Sequence, residues 1–152
     1  MTDPHNDHTA ALVVAAAKGW LGTPYRHQGS RKDVGCDCLG LVRGVWAEVY
    51  GEEPERPGPY AADWAEGGGR ELLIEAARRH CVEKGGRAVE EGDLVLFRWR
   101  PHLPAKHAGI ALGPDRFIHA YQGHGVLVSA LVPQWRSRIA GVFQFPELPT
   151  AR

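Results

Sequence analysis

The sequence predicts an α+β fold, with helices in the first half and an antiparallel sheet in the second. Three observations carry this. Up to about residue 80 the apolar side chains recur at helical spacing, and after Gly86 the period falls from 3.6 to 2. Gly113-Pro114-Asp115 and the run Gln122 to Gly125 supply turn residues between the alternating segments. Helices that precede the strands, rather than alternate with them, separate an α+β chain from an α/β one.

Taken in order, residues 1–8 are polar and read as a flexible start, which leaves 9–147 as a single domain. A chain of 152 residues can bury a core without staples. The apolar positions from Thr9 to Trp20 suit a helix, with Asp7 or Thr9 as its cap and Gly19, Gly22 and Pro24 as its stop. A polar loop spans Arg26 to Gly35. Cys38, Leu41, Val42, Val45, Trp46 and Val49 then share one helical face, closed by Gly51. Glu52 to Gly69 is rich in Pro, Gly and acids and reads as a long loop with a turn near Asp63 to Ala65. Arg70 to His80 forms a third helix buried through Leu72, Leu73, Ala76 and Ala77. Strands follow at Asp93–Trp99, His107–Leu112, Arg116–Tyr121, Val126–Leu131 and Ile139–Phe145. The five tryptophans read as core and loop anchors, with Trp64 nearest the expected cleft, and Cys81 as an inert residue after a helix.

Composition excludes several function classes. The formal net charge is zero and the pI is about 7.1, so no basic stripe offers itself to nucleic acid and no basic amphipathic helix to a membrane surface. The start, MTDPHNDHTA, lacks the charged and apolar regions of a signal peptide, and Ala10 to Ala17 is too short to span a bilayer. Cytoplasmic synthesis is the expectation. Three cysteines are an odd count, and a Cys-x-Cys bridge would close a strained ring, so no disulfide framework is expected.

The chemistry concentrates in GCDCLGL, Gly35 to Leu41. If a helix starts near Asp37, Cys38 lies in its first turn, where free N–H groups and the macrodipole favour a thiolate. That placement is expected to lower the thiol pKa. Cys36 lies before the helix and gains less. A nucleophile needs a base. Of eight histidines only His107 and His119 fall on strands, twelve residues apart across one hairpin turn. An antiparallel hairpin places them approximately as cross-strand neighbours on one face. A Cys38–His107–His119 relay fits, with His119 holding the base. Two other readings stand beside it: a core cysteine with structural histidines, and a zinc set of Cys36, Cys38, His107 and His119.

The run WLGTPYRHQGSRKDVGCDCLGLVRGVW resembles the opening of NlpC/P60 cysteine peptidases, where G-T-P-Y-R-x-G-G precedes D-C-S-G-L. GDLVLF at Gly92, HAGIAL at His107 and FIHA at Phe117 follow in the family's order, so the resemblance covers Ala10 to Phe145. It implies a papain-like fold, with N-terminal helices carrying the cysteine packed on an antiparallel sheet carrying the histidines. It implies Cys38 as nucleophile, His107 as general base and His119 as the residue orienting it. It also implies that Tyr25 and the Cys38 N–H aid the oxyanion and that Asp37 meets the substrate's amine. No metal and no cofactor are implied. The typical reaction is hydrolysis of peptidoglycan stem peptides, often at a γ-D-glutamyl–diaminopimelate bond. Leu39 stands at the usual Ser, Cys36 at a small or apolar residue, and His27-Gln28-Gly29 at Trp-Gly-Gly. CDCLGLVRGVWAEVYGEEPE and PYAADWAE look most like the phage and gene-transfer-agent branch. That branch implies tail-tip partners, association with the particle and action on the periplasmic cell wall. Two rivals remain: a tail-assembly or wall-binding module without catalysis, and a thiol amidase or acyltransferase on the same scaffold.

Overall fold

The computed structural model describes residues 4–55, 70–86 and 88–148, without the side chains of 4–7. Helix α1 spans Pro4–Lys18 and so begins inside the segment expected to be flexible. Proline suits a first turn, because the N–H it lacks would be unpaired there and its φ is already helical. Thr9 is therefore not a cap. Its buried hydroxyl accepts from the Leu148 N–H at 3.2 Å and ties the C-terminal segment to α1.

Two short strands, β1 (Ser30–Arg31) and β2 (Gly35–Cys36), pair within the expected polar loop and one residue past its end. Two-residue strands carry no period that a sequence could display. Helix α2 spans Cys38–Tyr50, with Asp37 as N-cap and Gly51 as C-cap at φ 92°. That left-handed conformation favours glycine, and the Gly51 N–H donates to the Ala47 carbonyl. Helix α3 spans Leu72–His80. Its buried residues are Leu73, Ile74 and Ala77, whereas Leu72, expected in the stripe, is exposed. The turn expected at Asp63 to Ala65, with Trp64, lies outside the described residues.

The sheet comprises β3 (Val82–Glu83), β4 (Leu94–Phe97), β5 (His107–Ala111), β6 (Arg116–Tyr121), β7 (Gly125–Ala130) and β8 (Ile139–Gln144). A one-turn helix, α4 (Pro133–Arg136), precedes β8. The spatial order is β3-β8-β4-β5-β6-β7, and every pairing is antiparallel. Alternation along the strands sends Leu94, Leu96, Ala108, Ile110, Ile118 and Ala120 to the helical side, against Val13, Leu41, Val45 and Trp46. Val95, Phe97, Ala111, Phe117 and Val142 face the other way, under Trp135 of α4. Both faces are covered, and every residue of β5 is buried.

Helix α2 can sit this low only because of its glycines. A Cβ on Gly40 would collide with the Gly29 carbonyl, and one on Gly44 with the Trp20 ring. Gly40 therefore lets the loop bearing Gly29 cross the first turn of α2, beside Cys38.

Candidate active site

The N-cap builds the cysteine's setting. Asp37 accepts the Gly40 N–H on Oδ1 and the Gln28 N–H on Oδ2, each at 2.8 Å. One carboxylate thus fixes the helix start and the preceding loop together. Arg98 does the same for the loop entering β5. Its guanidinium bonds Glu71 and the Leu103 carbonyl, and Glu71 also accepts the Ala105 N–H. These two anchors bring α2 against the start of β5, where the Cys38 thiol donates to the Lys106 carbonyl at 3.5 Å.

The histidines lie on the sheet face turned away from α1, α2 and α3 and covered by Trp135 of α4, since Phe97 pairs directly with His107. In the β5–β6 register Ile110 faces Ile118, so His107 and His119 are diagonal rather than direct neighbours. Gly109 makes room for the contact, because a Cβ there would press on Phe117 and His119. His107 Nε2 lies 2.7 Å from His119 Nδ1, and His119 Nε2 lies 2.7 Å from Ser129 Oγ on β7. Ser129 faces Phe117 in register, so the row steps diagonally across three strands. Sequence reading missed Ser129, since its only signal was its place on the histidine face of a strand.

Cys38, His107, Tyr25, Asp37 and His27 line one cavity of about 390 Å³, together with Trp99, Lys106, Ala120, Tyr121, Gln122 and Arg138. His119 supports this cavity from behind His107. Trp99 stacks on the His107 ring at 5.2 Å, and Trp135 packs on both imidazoles. Trp20 and Trp46 are core residues, as expected. Leu39 lines a different groove, between α2 and α3.

The protonation states correct one expectation. Burial, followed by the charge of Asp37, pushes the Cys38 thiol up to about 12. Backbone N–H groups of Ala108 and Leu39 favour the thiolate, but they are outweighed. The helix terminus alone was expected to lower this pKa; full desolvation of the sulfur reverses the sign. Burial, and then His119, holds His107 down at about 3. Burial, and then the neighbouring His124, holds His119 at about 4. At rest Cys38 is thus a thiol, and His107 and His119 are neutral imidazoles. Burial also raises the Tyr25 hydroxyl to about 12, with the Cys38 charge adding to it, so Tyr25 keeps its proton.

Cys36 is wholly buried in the helical-side core, and all three cysteines are free thiols. Among the described residues no three His, Cys, Asp or Glu side chains are grouped to hold a metal ion. No helix among them is long and apolar enough to cross a membrane.

The model of the NlpC/P60 family matches residues 22–144. The chain belongs to the NlpC/P60 family. It is 32% identical over 120 residues to the murein DD-endopeptidase MepS/murein LD-carboxypeptidase of Escherichia coli (strain K12), covering 78% of this chain and 54% of that protein. It is 31% identical over 137 residues to a gamma-DL-glutamyl hydrolase of Bacillus subtilis (strain 168), covering 90% of this chain and 29% of that one. The chain spans about half the length, or less, of these curated relatives. The crystal structure of the NlpC/p60 domain of the peptidoglycan hydrolase SagA superposes with a TM-score of 0.63 at 27% identity, covering 88% of this chain and 97% of that domain. An NlpC/P60 family protein from Bacillus cereus ATCC 10987 shares the fold, with a TM-score of 0.65 at 20% identity over 90% of this chain and 40% of its own. The α+β architecture, helices on an antiparallel sheet, is the NlpC/P60 fold.

Proposed function

We propose that this NlpC/P60 chain is a cysteine peptidase that hydrolyses peptidoglycan stem peptides, at a γ-D-glutamyl–diaminopimelate type of bond. The observation that carries this is the shared cavity of Cys38 and His107, backed by the His119–Ser129 row. Relatives named as a murein endopeptidase and a glutamyl hydrolase support the substrate class.

The hydrogen bonds favour one tautomer set. His107 Nε2 is engaged with His119, which leaves Nδ1 for the thiol. For Nδ1 to accept a proton, Nε2–H must donate to His119 Nδ1. His119 then carries its proton on Nε2 and donates it to Ser129 Oγ. The thiol proton passes to His107 Nδ1 as sulfur attacks the amide carbon, because neither group is ionised beforehand. The Cys38 N–H and the Tyr25 hydroxyl donate to the oxyanion. His107 returns the proton to the leaving nitrogen, the C–N bond breaks and a thioester remains. Water attacks with His107 as base, and the departing thiolate recovers its proton. Asp37, its oxygens already holding backbone, presents its charge to the substrate's amine.

Ser129→Ala leaves the His119 Nε2–H without its acceptor and should lower kcat about tenfold with KM unchanged. Ser129→Thr should restore the rate, as steady-state kinetics would show. The run CDCLGLVRGVWAEVYGEEPE supports placing the enzyme among phage or gene-transfer-agent tail-tip proteins, acting on the periplasmic wall. The function itself is tested by product masses from L-Ala-γ-D-Glu-diaminopimelate. Hydrolysis yields two fragments that together weigh one water more than the substrate. An acceptor's mass on the acyl fragment would mean a transferase, and an intact tripeptide a binding module.

A further inference from the structure

We infer that Arg138 forms a carboxylate subsite on the leaving-group side of the Cys38 cavity, so that the peptide cut here bears a free α-carboxylate on the residue that departs. The inference rests on the peptidase reading above and specifies its substrate.

Arg138 lines the cavity just before β8. Its guanidinium lies over two indoles, 5.7 Å from the Trp99 ring centre and 5.9 Å from that of Trp135. Other arginines nearby are committed: Arg98 to Glu71, and Arg136 to Asp115 and the Pro114 carbonyl. Among the described residues no carboxylate, carbonyl or hydroxyl accepts from the Arg138 guanidinium. A planar cation held over two indoles at the wall of the cavity is suited to bidentate capture of a carboxylate. The cation–π contacts hold the guanidinium near its place before any ligand arrives, so less rotamer freedom is lost on binding.

The side of the cavity follows from the reaction. The general acid must reach the departing nitrogen, so the groups packed around His107 flank the leaving residue. Trp99 stacks on His107 at 5.2 Å and Trp135 packs on it at 5.7 Å, and both also carry Arg138. Arg138 is thus one indole removed from the base. Lys106 lines the same cavity and adds positive potential. Asp37 and His27, from the α2 side, are left to the acyl portion.

The test uses the full chain carrying Cys38→Ala, which cannot turn over, and calorimetric titration with L-Ala-γ-D-Glu-L-Lys as free acid or C-terminal amide. The free acid should bind about 10- to 100-fold more tightly than the amide, the span of a charge-assisted bidentate bond. Adding Arg138→Gln should bring the two peptides to within about twofold of each other while leaving amide binding unchanged, which also shows that the variant folds. Arg138→Lys should fall between, keeping charge but losing the fork. Equal binding of acid and amide by the parent, or a preference that survives Arg138→Gln, would overturn the subsite. So would equal weakening of both peptides, which would make Arg138 a packing residue. Discrimination by a protein whose wild-type form cuts no tripeptide would sink the peptidase reading and leave the subsite standing. Cleavage without discrimination would do the reverse.

Discussion

Cys38→Ala is expected to abolish stem-peptide hydrolysis, with kcat falling by about 10⁴-fold or more, the scale for removing a nucleophile. Cys36→Ala should retain most of the activity. The two cysteines stand one residue apart, yet their surroundings differ. Cys36 points into the helical-side core, and its backbone is bound on both sides, N–H to the Pro24 carbonyl and carbonyl to the Arg26 N–H. Removing its sulfur leaves a small void in that core and a modest loss of stability. Cys38 reaches the cavity that holds His107. Parallel turnover assays on the two variants separate the roles, and equal loss in both would contradict the assignment.

Acidification should begin to destabilise the protein as pH falls below about 6.5. Burial holds His107 at about 3 and His119 at about 4, against an ordinary value of 6.5. As pH falls below 6.5 the unfolded chain binds protons at these positions while the folded one does not, so stability drops with pH. Two such groups remove about 3 kcal/mol between pH 6.5 and 5, a large part of a typical stability of about 5–15 kcal/mol. Melting temperature should fall by roughly 6–12 °C over that window. The depressed carboxylates, such as Glu55 and Glu83, add their loss only at lower pH. His119→Gln should flatten the slope by about half, since one of the two groups is gone. A melting temperature that stays level from pH 7 to pH 5 would show that the imidazoles are not buried as described.

Much of the fold was legible because its signals are local. Asp37 and Gly51 bracket the thirteen residues of α2, the helix that DCxGL and the following apolar face imply. The β5–β6 hairpin was legible from its turn and its alternation, and so was the sharing of a face by His107 and His119. The offset in register was not, because it depends on how the turn closes. Ser129 and Arg138 were illegible for a different reason. Ser129 joins a row of side chains across β5, β6 and β7, and Arg138 lies over Trp99 and Trp135, which no spacing within one strand encodes. The thiol's sign was misread because a helix terminus is visible in sequence, whereas desolvation depends on everything packed around the sulfur. The start of α1 was misread because a polar run that opens on proline resembles a frayed end as much as a first turn.

The most direct test is the intact mass of the protein quenched within the first turnovers of L-Ala-γ-D-Glu-diaminopimelate, with the adduct mapped by peptide mass spectrometry. The account predicts an L-Ala-γ-D-Glu acyl group in thioester linkage on Cys38, absent from Cys38→Ala and from His107→Ala. Tripeptide cleaved by the Cys38→Ala protein, or an acyl group found on Cys36 instead, would contradict it.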